Sequence, residues 1–375
     1  MISFYFFTIF CALFFCFNKK IGFIFLLFGC FYLLTVLPST DLDYDVYKKS
    51  YDNAVFVSHF PWFESVSRLN SEPFYVWYTS FFGVIFSFEF PVFLGINFLI
   101  CITLSFLALK NILDINNYYY FWMFLLPVIF PTIFYFSPRS SISFFAILLG
   151  FMFLFKEKYM YALLIIFCGV NLHSQFLPIT MMILITFITF QILQKKDKES
   201  YIEITLFYGL LFFIFLKISS TLIVFLSDFL SFMPSSETVN SKLRYLTNSR
   251  SGFRITSILS ILIYPIISYH LLTLIKRDSS LFVLKEDKSK ELIFGYMLFA
   301  ITIYGAVINL AYINEPHLAG RLSRFSDYIG MCLLVPSYLI SCEREHIANI
   351  LIVLLCMISP FIYGTLYYNI HWGLN

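Results

Sequence analysis

The sequence predicts an all-α integral membrane protein with about 12 transmembrane helices, and three observations carry that expectation. Hydrophobic residues fill 60% of the 375 positions, aromatic residues 21% with 50 Phe, and charged residues only 13%. Soluble domains hold roughly twice that charge, about 25%. The apolar residues also fall into runs close to the ~20 residues needed to cross a bilayer. The segments between them are mostly too short to fold alone, so residues 1–375 read as a single polytopic membrane domain.

Taken in order, the apolar runs are 2–17, 21–37, 74–88, 91–109, 118–136, 139–155, 159–172, 174–193, 201–226, 255–275, 291–312, 321–340 and 347–367. The first, Ile2 to Phe17, lacks a basic start and a small-residue cleavage site, so it reads as a retained span rather than a cleaved signal. Lys19 with Lys20, Lys110, Lys156 with Lys158, the QKKDKES loop and the segment 276–290 all look cytoplasmic by the positive-inside rule. Strict alternation through every run cannot put all of them inside. It succeeds if 74–88, bounded by Glu72-Pro73 and by Glu89-Phe90-Pro91, is a re-entrant or interfacial helix, which is allowed where it packs on protein or lines a cavity. Both termini then lie outside, with external loops at 38–73 and 227–254.

This topology sorts the cations by type. The inside segments are basic through Lys, with only Arg277 and Arg344 as Arg. The outside holds Lys48, Lys49 and Lys242 but also Arg68, Arg139, Arg244, Arg250, Arg254, Arg321 and Arg324. Arg offers a planar, permanently charged fork for phosphate or carboxylate, so an Arg-rich outer face points to an anionic ligand. Several classes are set aside. A net charge of +3 argues against a nucleic-acid partner. The cysteines, Cys11, Cys16, Cys30, Cys101, Cys168, Cys332, Cys342 and Cys356, show no ligand spacing, so neither disulfide nor metal is expected. No P-loop or dinucleotide fingerprint is present, and no cofactor is expected.

Arg139, His173 and Arg321 each lie at or beside the end of a near-uncharged apolar run, where charge is costly unless it works in a polar cavity. Four outward segments carry the chemistry. The loop 38–73 offers Asp41, Asp43, Asp45, Asp52, Glu64 and Glu72 among aromatics, which suits sugar hydroxyls and sugar faces, or is simply a solvated acidic loop. Glu72-Pro73, opening the re-entrant run, is the best placed. In SPRSS, Ser137 and Pro138 break a helix and Arg139 opens the next, where a helix N-terminus favours anions. The competing reading is an interfacial Arg reaching for headgroups. In NLHSQ, His173 sits among Asn171, Ser174 and Gln175 and can serve as general acid, base or oxyanion donor, or lie in a plain polar turn. Finally, loop 227–254 carries Arg244, Arg250 and Arg254, and NEPHLAGRLSRFSDYIG carries Arg321 and Arg324 on one helical face, extended by Asp327.

Together these motifs resemble a known group. A DxDxY-type start (Asp43, Asp45, Tyr47), then Glu72-Pro73-Phe74-Tyr75, Arg139 opening a span, His173-Ser174 at a junction, and Gly320-Arg321 with Arg324 and Tyr328 are similar to the EpsG polysaccharide polymerases, relatives of the Wzy O-antigen polymerases. The resemblance covers about 40–330; Glu-Pro-Phe stands here where Glu-Pro-Gly is usual. It implies a glycosyltransferase-C-like membrane enzyme of the bacterial inner membrane with a periplasm-facing site. It also implies inverting transfer of a growing glycan from undecaprenyl pyrophosphate to an incoming lipid-linked repeat unit, with a chain-length regulator as a further partner. Arg139, Arg321, Arg324 and one of Arg244, Arg250 or Arg254 would bind the pyrophosphate. His173, Glu72 or Asp327 would take the acceptor proton, and Asp43 and Asp45 would contact the glycan. The rivals are an O-antigen ligase, a polyprenyl-phosphate-sugar glycosyltransferase, a sugar acyltransferase, and a lipid-linked oligosaccharide flippase. A short 227–254 loop leans against the ligase. The absence of an internal repeat, with only Lys217 inside a run, leans against a transporter.

Overall fold

The computed structural model describes residues 2–36, 42–57, 72–110, 115–128, 134, 137–194, 200–231, 255–277 and 288–367. Every regular element among these residues is helical, as lipid demands of a chain that must satisfy its own backbone groups. Among the described residues, seven helices are long and apolar enough to cross a bilayer: Lys19–Val36, Phe90–Leu109, Pro138–Phe155, Ser174–Gln194, Tyr201–Ser219, Leu259–Arg277 and Lys290–Ala311. The protein is thus a multi-spanning membrane protein. The chain divides into two compact units, residues 1–174 with 339–375, and residues 175–338.

In the first unit, α1 (Ile2–Phe17) and α2 (Lys19–Val36) form a hairpin turned by Asn18, whose side-chain oxygen accepts the Ile21 amide at 3.1 Å. The stretch read as an external loop contains a helix, α3 (Leu42–Val57), with Tyr44 and Tyr51 buried. Those two are seven residues apart, hence on one face, and both rings pack against Phe90. Next comes α4 (Pro73–Ser80), continued by a π-helical turn over Phe81–Ile85 and stopped before Ser87, whose φ is +52°. At ~1.5 Å per residue this segment is well short of the roughly 30 Å hydrocarbon core. With Tyr159–Leu172 it belongs to the apolar helices of 10–17 residues rather than to the seven longer ones. Helices α5 (Phe90–Leu109) and α6 (Ile115–Val128) follow.

The scaffold of this unit is the hairpin of α7 (Pro138–Phe155) and α8 (Tyr159–Leu172). Lys156, Glu157 (φ +60°) and Lys158 turn it, so the start of α7 (18 residues) and the end of α8 (14 residues) lie at the same end of the hairpin. The arms approach closely because glycines line the seam, as is common between helices in lipid. A Cβ on Gly150 would lie 2.5 Å from Ile166, and one on Gly169 would lie 2.7 Å from Ile147 and 3.3 Å from the Ser143 carbonyl. The Ser143 hydroxyl also donates to the Gly169 carbonyl at 2.6 Å, locking the register. The last helix, α15 (Glu345–Tyr367), packs on α1 and α6, where the Tyr120 hydroxyl meets Asn349 Oδ1 at 2.7 Å and Lys19 pairs with Glu345.

The second unit contains α9 (Leu177–Gln194), α10 (Tyr201–Ser231) and α11, a continuous helix of Ile255–Ile258, the π-helical Leu259–Ile263 and Tyr264–Arg277. Its centre is α12 (Lys288–Ala311), against which α9, α10 and α11 pack. Hydrogen bonds across helices hold this centre: Ser268 to Thr302 at 2.8 Å, Asn309 to Ser260 at 3.1 Å, and Thr186 to Tyr304. Two short helices follow, α13 (Pro316–Leu322) and α14 (Arg324–Ile329), the latter running on through a π-helical Gly330–Leu334 into Val335–Ser341.

Replacing Gly169 with Val forces α7 and α8 apart, since a Cβ alone would meet Ile147 Cγ1 at 2.7 Å with the α7 backbone close behind at 3.2 and 3.3 Å. We expect a loss of about 1–3 kcal/mol, read as a lower unfolding temperature of the detergent-solubilised protein. An unchanged midpoint would contradict the tight hairpin seam.

Candidate active site

Three features fix the polar end of the α7–α8 hairpin. Ser137 breaks the chain (φ −152°, ψ 63°) and Pro138 occupies the first helical turn, where a missing N–H costs nothing. Arg139 is therefore held in the first turn of α7. At the other arm, the His173 amide bonds back to the Gly169 and Val170 carbonyls, and its extended backbone (φ −156°, ψ 96°) ends α8. The third feature is Glu72, the residue before Pro73 at the start of α4, which packs on α8 through Phe74 against Phe167.

Glu72 joins the three. Arg139 Nη1 donates to its Oε2 at 2.6 Å, and Ser174 Oγ donates to its Oε1 at 3.3 Å. His173 Nδ1 lies 3.6 Å from the same Oε1, a close polar neighbour rather than a full hydrogen bond. His173 is buried, whereas Ser174 is exposed, so the cluster reaches the surface at Ser174. Burial works to raise the Glu72 pKa. His173 and the Arg139 guanidinium outweigh it and hold the carboxyl at about 2, below its ordinary 4.5. Glu72 is a carboxylate at any physiological pH, and while it is so held it is a weak base.

Aromatic residues from α3 and α4 complete the surroundings. Arg139 lies over the Tyr47 ring, with Cζ 5.5 Å from its centroid, the geometry of a cation–π contact. Tyr47 meets Tyr75 edge-on at 6.4 Å, and its hydroxyl is 3.4 Å from Ser137 Oγ. Among the described residues, the buried Tyr75 hydroxyl and Arg139 Nε have no hydrogen-bond partner. Beneath the cluster, Asn97 on α5 is fully buried; it accepts from the Tyr78 hydroxyl at 2.9 Å and donates to Ser141 Oγ at 2.9 Å. It thereby ties α4, α5 and α7 together behind Arg139.

A constellation of Glu, Arg and His assembled from residues far apart in sequence, at one end of a membrane hairpin, is what a site for an anionic ligand and a proton transfer requires. A family model matches residues 20–372, nearly the whole chain. The chain belongs to the EpsG family. No curated protein and no solved structure matches it.

The remaining residues singled out in the sequence fall into separate places. Asp45 is exposed on α3, which also carries Asp43. Arg321 ends α13 and Arg324 begins α14, both half-buried, and Ser323 between them keeps helical backbone angles (φ −79°, ψ −9°). The Ser323 hydroxyl donates to Asp327 Oδ2 at 2.8 Å. The close approach of Ser326 to Gly305, with its hydroxyl bonded to the Ile301 carbonyl at 2.9 Å, seats this segment on α12. Arg244, Arg250 and Arg254 lie outside the described residues, as do Asp41, Glu64 and Arg68. Among the described residues no three His, Cys, Asp or Glu side chains cluster as a metal site. The site residue that sequence reasoning missed is Asn97. It had a usable signal, being the one Asn in the apolar run 91–109, where a polar side chain is expensive. Tyr75 stood in the Glu72-Pro73-Phe74-Tyr75 motif but without a role of its own.

A depressed carboxyl contributes stability that is whole above its ordinary pKa and is lost as pH falls through its folded value. The gap in unfolding temperature between wild type and Glu72→Gln should therefore persist from pH 8 to pH 5. It should shrink only below about 4.5, toward 2. A gap already closing at pH 6 would show that the carboxylate is not held by its partners.

Proposed function

We propose that this EpsG-family protein polymerises lipid-linked oligosaccharide repeat units of a surface polysaccharide, such as O-antigen. The observation that carries the reading is the convergence of Arg139, Glu72 and His173 on one end of the α7–α8 hairpin. The growing glycan leaves its undecaprenyl pyrophosphate carrier and joins the incoming lipid-linked repeat unit. Charge builds on the departing pyrophosphate, and a guanidinium fork in a water-poor site stabilises it. The acceptor hydroxyl loses a proton, for which Glu72, already a carboxylate, and the adjoining His173 are the receivers. Direct attack of that hydroxyl on the anomeric carbon inverts its configuration.

The same reading gives Arg321 and Arg324, with Arg244, Arg250 or Arg254, to the anionic carrier, and Asp43 and Asp45 to the glycan. Asp327, bonded to Ser323, is the alternative base. It also carries the finer topology: about 12 spans in one polytopic domain of glycosyltransferase-C-like architecture. The domain sits in the bacterial inner membrane with its site toward the periplasm, and a chain-length regulator is its partner. The exposed Phe, Leu and Ile side chains along the helices, such as Phe28, Phe207 and Phe215, meet lipid.

The test is a lipopolysaccharide or capsule gel from cells lacking the gene. The ladder should collapse to a single repeat, return with the wild-type protein, and stay collapsed with Arg139→Ala or His173→Ala at equal protein level. A drop of 10²-fold or more in polymer is expected from loss of one charge-stabilising donor. A full ladder from Arg139→Ala would refute the assignment. Polymer left on its lipid carrier in the deletion strain would instead indicate a ligase.

A further inference from the structure

Arg139 carries more hydrogen-bonding capacity than Glu72 uses. Glu72 takes Nη1 through Oε2, while Nε is buried with no hydrogen-bond partner among the described residues. The Tyr75 hydroxyl is a second buried donor in the same condition. The Tyr75 ring meets edge-on the Tyr47 ring, over which the guanidinium lies. Buried donors left open cost about 1–3 kcal/mol each, and a membrane site has few ways to offset that except a ligand. A single carboxylate offers two oxygens, and Glu72 turns one of them to Ser174 and His173. A phosphate has more acceptor oxygens and can take Nη1 and Nε of one guanidinium together.

We propose that Glu72 occupies, in the substrate-free protein, the anion position on Arg139 that a phosphate oxygen of the lipid-linked donor takes. Binding of the donor therefore expels the carboxylate from Arg139. This deepens the polymerase reading and rests on it. Its consequence is an ordering of the chemistry. While Glu72 is paired with Arg139, it is a poor proton acceptor and the arginine is neutralised. Once the phosphate takes the arginine, the carboxylate stays with Ser174 and His173, without its strongest counter-charge, and becomes a better base. The step balances. The acceptor oxygen forms its bond to the anomeric carbon, the bond from that carbon to the phosphate oxygen breaks, and the pyrophosphate leaves with the electron pair. The hydroxyl proton passes to Glu72. The base is thus armed only when the leaving group is in place, which protects lipid-linked intermediates from water.

The exchange makes a prediction of sign. If Glu72 competes for Arg139, removing its charge tightens binding of an anion; if Glu72 merely holds Arg139 in position, the same change weakens it. The measurement is the affinity of the full-length protein in nanodiscs for undecaprenyl pyrophosphate, with inorganic pyrophosphate as a second probe. Glu72→Gln should bind roughly tenfold more tightly than wild type, about 1.4 kcal/mol, and should make no polymer. The gain should vanish when Arg139 is also Ala. Should Glu72→Gln fail to fold, Glu72→Asp, one methylene short of the guanidinium, should tighten binding in the same direction. Equal or weaker binding by the folded variants overturns the exchange while leaving Arg139 as the phosphate site, provided Arg139→Ala loses binding. Wild-type affinity in Arg139→Ala overturns the phosphate assignment itself, and the exchange with it.

Discussion

The ion pair between Glu72 and Arg139 is the constraint on which the first unit depends. A guanidinium at the edge of an apolar helix is expensive to keep from water, and breaking a buried pair by removing one partner costs about 3–5 kcal/mol. The pair is incompletely buried, with side chains 26% and 14% exposed, so its cost sits toward the lower end of that range. Its geometric effect is larger than its energetic one. It fastens the start of the short apolar helix α4 to the start of α7, which is long and apolar enough to cross a bilayer. It also brings the imidazole that ends α8 to within 3.6 Å of the same carboxylate.

What makes this placement reliable is the hairpin beneath it. Gly150 and Gly169 let α7 and α8 approach until side chains meet backbone, and the Ser143 bond to the Gly169 carbonyl fixes their register. Register decides whether Arg139 and His173 meet, because about a third of a helical turn separates neighbouring residues. Asn97 adds a brace from α5, bonding Tyr78 and Ser141 at once. A site built on packed helices with satisfied supports holds its groups more tightly than one on loops. Of the groups around Glu72, His173 is buried, Arg139 is half-buried and Ser174 is exposed.

Much of this was legible before the structure. Membrane class followed from composition. Arg139, His173 and Arg321 stood out because charge at the ends of apolar runs needs a reason, and Glu72 because it opens the 74–88 run; the structure gathers Glu72, Arg139 and His173. Their mutual contact was not legible, since Glu72 and Arg139 are 67 residues apart and only the folded hairpin brings them together. The helix α3 was missed, although Tyr44 and Tyr51 share a face, because its charged residues made the stretch look like a loop. Tyr75 was named only as part of the Glu72-Pro73-Phe74-Tyr75 motif, and its place beside Tyr47, over which Arg139 lies, needed the fold.

The central claim is that Arg139 serves glycan transfer from a pyrophosphate carrier. The most direct measurement is a reconstituted reaction in which purified protein meets purified lipid-linked repeat units. Joined two-repeat product and released undecaprenyl pyrophosphate are quantified together. The account predicts equal amounts of the two from wild type and neither above background from Arg139→Ala of equal stability. Product formation by Arg139→Ala at the wild-type rate would contradict it.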